Sequence, residues 1–261
     1  ENGGEIKLNS EVVSITKDDL FTLELKNNEE IRAKYVINAT GVYADKVHNM
    51  VCEESFKITP IRGEYYILDK DEGKNFKHTI FQCPSKFGKG VLVAPTVHGN
   101  LIVGPNAEEI KEKDSLKTTS EALEFISERA EKTTDKVNFR NSIRNFAGLR
   151  AEADKGDFII EENNKVKGFI DVSGIKSPGL TAAPAIALRV VEILNDSGLN
   201  TVKKEDFNPY RNQIRFMELS IDEKKELIKK DKRYGRIICR CEEVTEGEIV
   251  DAINKSFGYI T

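Results

Sequence analysis

The sequence predicts a fold of mixed class, combining α+β and α/β character, from three observations. Short alternating apolar bursts bounded by Asn, Asp, Lys and Gly dominate residues 1–104, the pattern of antiparallel hairpins. Only two long stretches before residue 200 carry helical spacing. The second of these follows two apolar strands through a glycine-containing turn, the mark of a strand-turn-helix unit.

In order, Ile6 and Leu8, then Val13 and Ile15, then Phe21, Leu23 and Leu25 read as a small meander that leads into a strand ending in Asn38-Ala39-Thr40-Gly41. Residues 58–68, 79–81, 91–94 and 101–103 read as antiparallel strands, with turns at Gly88, Gly90 and Gly99-Asn100. Residues 118–133 place Ala122, Phe125, Ile126 and Ala130 on one helical face, with Thr119 or Ser120 as cap. Strands follow at 158–161 and 168–172, and then a helix over about 180–195, closed by Gly198. Charge dominates 201–235, read as linker plus one solvated helix, and residues 236–261 restart with an apolar step, a Cys-x-Cys and a capped helix.

The 261 residues carry 40 Lys+Arg against 44 Asp+Glu, a formal charge of −4 with no long single-sign block, which argues against a nucleic-acid partner. No apolar run is long enough to span a bilayer, and the first residues do not read as a secretory leader. The four cysteines, two of them one residue apart, form no disulfide framework and point to a reducing compartment, taken as the cytoplasm. A small molecule is the expected partner.

The segment 171–185, Asp-Val-Ser-Gly-Ile-Lys-Ser-Pro-Gly-Leu-Thr-Ala-Ala-Pro-Ala, is the most informative. Gly174 and Gly179 permit a sharp turn and Pro178 fixes it. The helix that follows has only small side chains in most of its first turn, so its bare N–H groups suit a negative charge. A tight turn packed against the sheet is the competing reading. Arg150 ends an apparent strand, and its planar fork suits a carboxylate or phosphate, unless it is a surface arginine paired with Glu152 or Asp154. Arg62 is a second candidate that could equally snorkel. His48 and His78 are placed on surface loops and His98 in a hairpin turn, with no catalytic role.

Taken together, residues 36–45 (Val-Ile-Asn-Ala-Thr-Gly-Val-Tyr-Ala-Asp), 60–65 (Pro-Ile-Arg-Gly-Glu-Tyr), Gly148-Leu-Arg150 and 173–181 resemble the FAD-dependent oxidoreductases of the D-amino-acid oxidase and glycerol-3-phosphate dehydrogenase superfamily. The resemblance covers about residues 1–200. It implies a flavin domain split between 1–54 and 151–200, here only a partial FAD/NAD(P)-binding domain, with an antiparallel-sheet substrate domain inserted at 55–150. Asn38, Ala39, Thr40 and Gly41 would then lie by the adenosine or pyrophosphate. Gly174, Lys176, Ser177, Gly179, Leu180 and Thr181 would lie by the flavin ring, where the helix dipole favours the reduced, negatively charged state by roughly 0.3–2 kcal/mol. Arg150 would hold a small anionic substrate over the ring, glycerol 3-phosphate first, for hydride transfer from its C–H to flavin N5. Residues 62–65 and 104–107 look closer to L-2-hydroxyglutarate dehydrogenases, so a 2-hydroxy acid or amino acid is the alternative. A non-catalytic electron-relay or binding subunit is the alternative from another class.

Residues 236–249 resemble the opening of a 2Fe-2S domain related to bacterioferritin-associated ferredoxin, which implies Cys239 and Cys241 as two of four cluster ligands and an electron-accepting subunit or carrier as partner, through which any membrane association would run. Two free thiols, or adventitious zinc, are the other readings. The family's GxGxxG strand-turn-helix is not in this sequence, so the chain is expected to be part of a longer protein. The 261 residues expressed alone are therefore expected to purify with little FAD and no activity, and near-stoichiometric flavin absorbance in that preparation would contradict this.

Overall fold

The computed structural model describes residues 2–82, 90–210, 214–239 and 243–254, which form two compact units: residues 12–201, and residues 1–11 with 202–261. In the larger unit, β1 (Val12–Lys17), β2 (Phe21–Leu25) and β3 (Glu30–Ala33) make an antiparallel meander. The expected meander is therefore present one burst later. Residues 6–8 form no strand, and the third strand is Glu30–Ala33, whose Ile31 and Ala33 show only a weak alternation. Ile15 and Phe21 from the meander pack on Val36, Cys52 and Phe169.

After β4 (Val36–Asn38) and the short α1 (Ala44–His48) comes β5 (Ile58–Leu68), eleven residues rich in the β-branched and aromatic types that suit a pleated surface. The short α2 (Lys70–Gly73), β6 (Ile80–Phe81), β7 (Leu92–Pro95), β8 (Leu101–Gly104), β9 (Glu108–Glu109) and α3 (Ser120–Glu131) follow. Next is β10 (Ser142–Ala153), which pairs antiparallel with the whole of β5, from Ser142 opposite Leu68 to Ala153 opposite Ile58. The sheet order is β10-β5-β8-β7-β6, with β9 also on β5. Thr119 caps α3 by accepting from Ala122 N–H, and the helix sets Ala122, Ile126 and Ala130, one face at four-residue spacing, toward the sheet. Leu68, Val93, Leu101 and Val103 meet Ile126 and Ala130 there, so one face of this sheet is sealed by α3.

The chain then adds β11 (Ile159–Glu162), β12 (Phe169–Ser173) and the eighteen-residue α4 (Gly179–Asp196). β12 lies antiparallel to β11 and parallel to β4, so the turns that leave β4 and β12 emerge at the same end of this sheet. Val190, Ile193 and Leu194 of α4 bury against Ile170, while Ala44, Phe56 and Ile58 pack with Ala151, Ala153 and Ile159, joining the two sheets.

His48 is not on a surface loop as expected but 1% exposed within α1. Its Nδ1 lies 2.7 Å from Asp171 Oδ2 on β12. Asn38 donates both of its amide hydrogens, to Asp171 Oδ1 and to the Ala44 carbonyl (2.8 Å each), and accepts from the Thr40 hydroxyl at 2.7 Å. Burial pushes the Asp171 carboxyl above the usual range, and His48 and Asn38 oppose that. The neighbouring Cys52 thiol is raised to about 12, by burial first and the Asp171 charge second, so it is an inert core thiol.

In the smaller unit, α5 (Ile221–Lys230) starts with a capping box between Ser220 and Glu223. β13 (Ile237–Cys239) and β14 (Val244–Thr245) form a hairpin, followed by α6 (Glu246–Asn254). Tyr234 is the centre of this unit: Gly247 has no room for a Cβ because the Tyr234 ring lies 2.6 Å from where one would stand, and its hydroxyl donates to Asp251.

Truncating His48 leaves one Asp171 oxygen buried without its partner, and His48→Ala is expected to cost roughly 3 kcal/mol in urea unfolding. The cost should be clearly smaller in an Asp171→Asn background, because the two residues are coupled through one hydrogen bond.

Candidate functional site

Pleating sorts β5 and β10 into two faces. Arg62, Glu64, Tyr66 and Leu68 point to the sealed side, whereas Ile61, Gly63 and Tyr65 face the other way with their partners Arg150, Gly148 and Phe146. On this second face the rings of Tyr65 and Phe146 stack with centroids 5.1 Å apart and planes 8° from parallel. Lys176, from the turn after β12, reaches Glu152 on the same face. The result is a strip of about 20 Å along β10, taking 3.3 Å per residue, that runs from the aromatic pair past two facing glycines and Arg150 to the start of α4.

Arg150 decides between its two readings. Glu152 is held by Lys176, and among the described residues no carboxylate lies within ion-pair distance of the Arg150 guanidinium. Its described bond is Nη2 to the Asn106 carbonyl at 3.2 Å, and Nη2 would stand 2.4 Å from a Cβ at residue 63, so the guanidinium occupies space that only Gly63 leaves. Asn106 is itself fixed, since its side chain accepts from Glu64 N–H at 2.7 Å. A half-buried arginine without an internal carboxylate has the planar fork that an external carboxylate or phosphate can pair with.

Arg62 does not join it. Arg62 is 6% exposed on the opposite face, with its guanidinium 3.2 Å from Glu64 and 2.6 Å from Glu108, so it ties β9 to the sheet instead of lining the strip.

The turn expected at the nucleotide end is formed as main chain only. Asn38 has spent its side chain on Asp171 and Ala44, but Gly41 sits at φ +60 with open space where a Cβ would stand. At the other turn Gly174 has φ +67, and an added Cβ would strike Ala153 at 2.8 Å. The start of α4 is not sealed: Ser177 and Thr181 are exposed and Leu180 is 93% exposed, while Gly179 is buried beside Ile175. Pro178 takes the N-cap position and no side chain caps the helix. The second turn thus places the positive end of the eighteen-residue α4, with no side-chain cap, where an anionic group of a dinucleotide cofactor fits, and the first brings a main chain without bulky side chains to the same end of the sheet.

A strap over residues 104–119 connects these parts. Asn106 holds Arg150 at one end. At the other, Lys113 donates to the Val42 carbonyl at 2.7 Å and pairs with Asp45, and Tyr43 bonds Asp114. Sequence reasoning missed this strap, because Gly-Pro-Asn followed by mixed charges reads as an ordinary loop. Cys239 ends β13, whereas Cys241 lies outside the described residues, which contain no cluster of three or more potential metal ligands.

Against known proteins, the family model described as FAD dependent oxidoreductase (DAO) matches residues 1–193. The chain belongs to this FAD-dependent oxidoreductase family. It is 55% identical over 259 residues to a glycerol 3-phosphate dehydrogenase of Caloramator mitchellensis, covering 99% of this chain and 54% of that protein. To the glycerol 3-phosphate oxidase of Mycoplasma genitalium it is 37% identical over 204 residues, 77% of this chain and 52% of the relative. Among solved structures, the L-α-glycerophosphate oxidase of Mycoplasma pneumoniae with FAD bound superposes with a TM-score of 0.66 at 31% identity, covering 71% of this chain and 50% of that one. The chain therefore spans about half the length of the relatives it matches. No helix among the described residues is long and apolar enough to cross a membrane.

Burial pushes the Asp45 carboxyl up, but Lys113, the Ile58 N–H and the Lys46 N–H outweigh it and hold it below its ordinary value. Its stabilisation is therefore complete above about pH 4 and is lost as pH falls through the lowered folded value. Lys113→Met is expected to lose stability at about pH 7, with a deficit that narrows toward about pH 3, read by urea unfolding at both pH values.

Proposed function

We propose that this chain serves an FAD-dependent oxidoreductase that oxidises a small anionic alcohol, with glycerol 3-phosphate as the first substrate. The observation that carries the reading is Arg150, held by Asn106 and Gly63, lacking a carboxylate among the described residues, and open to the same face as the turn before α4. The names of the relatives agree with this chemistry.

FAD, when bound, supplies the hydride acceptor. The main chain of residues 38–41 would hold its nucleotide end. Gly174, Ser177, Gly179, Leu180 and Thr181 would hold its ring end, where the α4 dipole would favour negative charge. Lys176, paired with Glu152, adds a cation at that edge. Arg150 binds the phosphate through its remaining N–H groups and thereby orients the carbon chain, a gain in proximity rather than in acid or base strength.

An accepting subunit or carrier, with a cytoplasmic setting and any membrane contact through that partner, belongs to the same proposal. The two Cys-x-Cys thiols are half of what a 2Fe-2S cluster needs, so the residues present do not by themselves hold one.

Anaerobic addition of glycerol 3-phosphate to the FAD-loaded full-length protein is expected to bleach the oxidised flavin spectrum. L-2-hydroxyglutarate should do so far less well, and the absence of bleaching by glycerol 3-phosphate defeats the proposal. Arg150→Lys keeps the charge but loses the fork, and is expected to raise KM for glycerol 3-phosphate about 10- to 100-fold, the worth of one charge-assisted hydrogen bond, with FAD content unchanged.

A further inference from the structure

Gly63 and Gly148 face each other across β5 and β10, yet neither has the positive φ that would require glycine. Glycine inside a strand weakens it, because it adds chain entropy and gives nothing to pack, so each needs a reason. For Gly63 the reason is internal: Arg150 Nη2 stands 2.4 Å, and Pro105 Cβ 3.0 Å, from the position a Cβ would take. Gly148 has no such reason. Nothing among the described residues comes within 4 Å of a Cβ built there.

We infer that Gly148 is a specificity-determining residue: the bare main chain at this position receives the carbon skeleton of the ligand whose anionic end Arg150 holds. This deepens the function proposed above and rests on it. The position fits such a role in three ways. Residue 148 is two strand positions from Arg150 on the same face, close enough for a short chain to bridge a gripped anion and the glycine. The stacked Tyr65 and Phe146 rings stand on its other side and wall off the strip, which favours a short unbranched ligand over a bulky one. The sealed face of the sheet already has its own packing, so the vacancy over Gly148 is not a defect of the core.

The experiment compares wild type, Gly148→Ala and Gly63→Ala in the FAD-loaded full-length protein, using glycerol 3-phosphate as the probe. Because an added methyl at 148 meets nothing among the described residues and replaces a weak strand former, Gly148→Ala is expected to melt at the same or a higher temperature and to bind FAD unchanged. Its kcat/KM for glycerol 3-phosphate should nonetheless fall by about tenfold or more, since the methyl displaces the ligand from its orienting contact. Gly63→Ala should lose activity by the different route of displacing Arg150. A Gly148→Cys variant adds a readout without turnover: glycerol 3-phosphate should slow alkylation of the new thiol.

Unchanged kcat/KM in Gly148→Ala, or alkylation of the cysteine variant that ignores glycerol 3-phosphate, overturns the inference. A Gly148→Ala protein that unfolds overturns it as well, because the chain itself would then need that space. Failure of the broader reading looks different, since there the wild-type flavin is not bleached by glycerol 3-phosphate at all.

Discussion

The register between β5 and β10 is the constraint on which the rest of the candidate site depends. Side chains in a strand alternate with a period of two, so a slip of one residue would turn Arg150 and Glu152 toward Ala44 and Phe56 and push Ala151 and Ala153 into the open. The apolar set Ile58, Ala151 and Ala153 forbids that slip, because burying two charges in its place would cost far more than the pairing returns. A dense apolar core at one end of the ladder thus chooses which strand arginine turns to the sealed face and which to the opposite one. It also explains why Arg62 and Arg150, both strand arginines, differ so completely. One faces carboxylates under the covering strap, and the other faces a glycine and open space.

The parallel pair β4 and β12 plays the matching role at the other sheet. Asp171 is a charge set in the apolar run Phe-Ile-Asp-Val, and it is tolerated because Asn38 and His48 both bond it. That arrangement ties the strand before the first turn to the strand before the second. Two segments 133 residues apart in sequence are thereby fixed side by side at the end of the sheet from which both turns leave. The helix that follows the second turn is stabilised at its far end, by Val190, Ile193 and Leu194, which leaves its beginning free of packing duties.

Much of this was legible beforehand. The long helices, β5, the hairpins and both glycine turns follow from periodicity and turn chemistry, whereas Arg150, expected to end a strand, lies inside β10, because the ladder with β5 runs on to Ala153 opposite Ile58. What could not be read was pairing. Nothing local says that Glu152 belongs to Lys176 and not to Arg150, or that Arg62 on β5 meets Glu108 on the neighbouring β9. His48 was misplaced for the same reason: a histidine in Lys-Val-His-Asn has the composition of a surface turn, and its burial is set by Asp171 on a distant strand. A charged residue inside a strand-like apolar run was the available signal, since such a group must find partners. The meander shifted by one burst because Ile6 and Leu8 alternate as well as any true strand but belong to the other unit.

The strap between Gly104 and Thr119 contains only the two-residue β9, yet it is fastened along its length by Asn106, Glu108, the Ile110 amide and Lys113. Surface connections of this kind ordinarily absorb insertions without penalty. This one behaves as a tie-rod, because a single covalent length sets the spacing between the guanidinium at one end and the Val42 carbonyl at the other. Lengthening it by even one residue would misalign both ends together, so among homologues its length should be held more tightly than its composition.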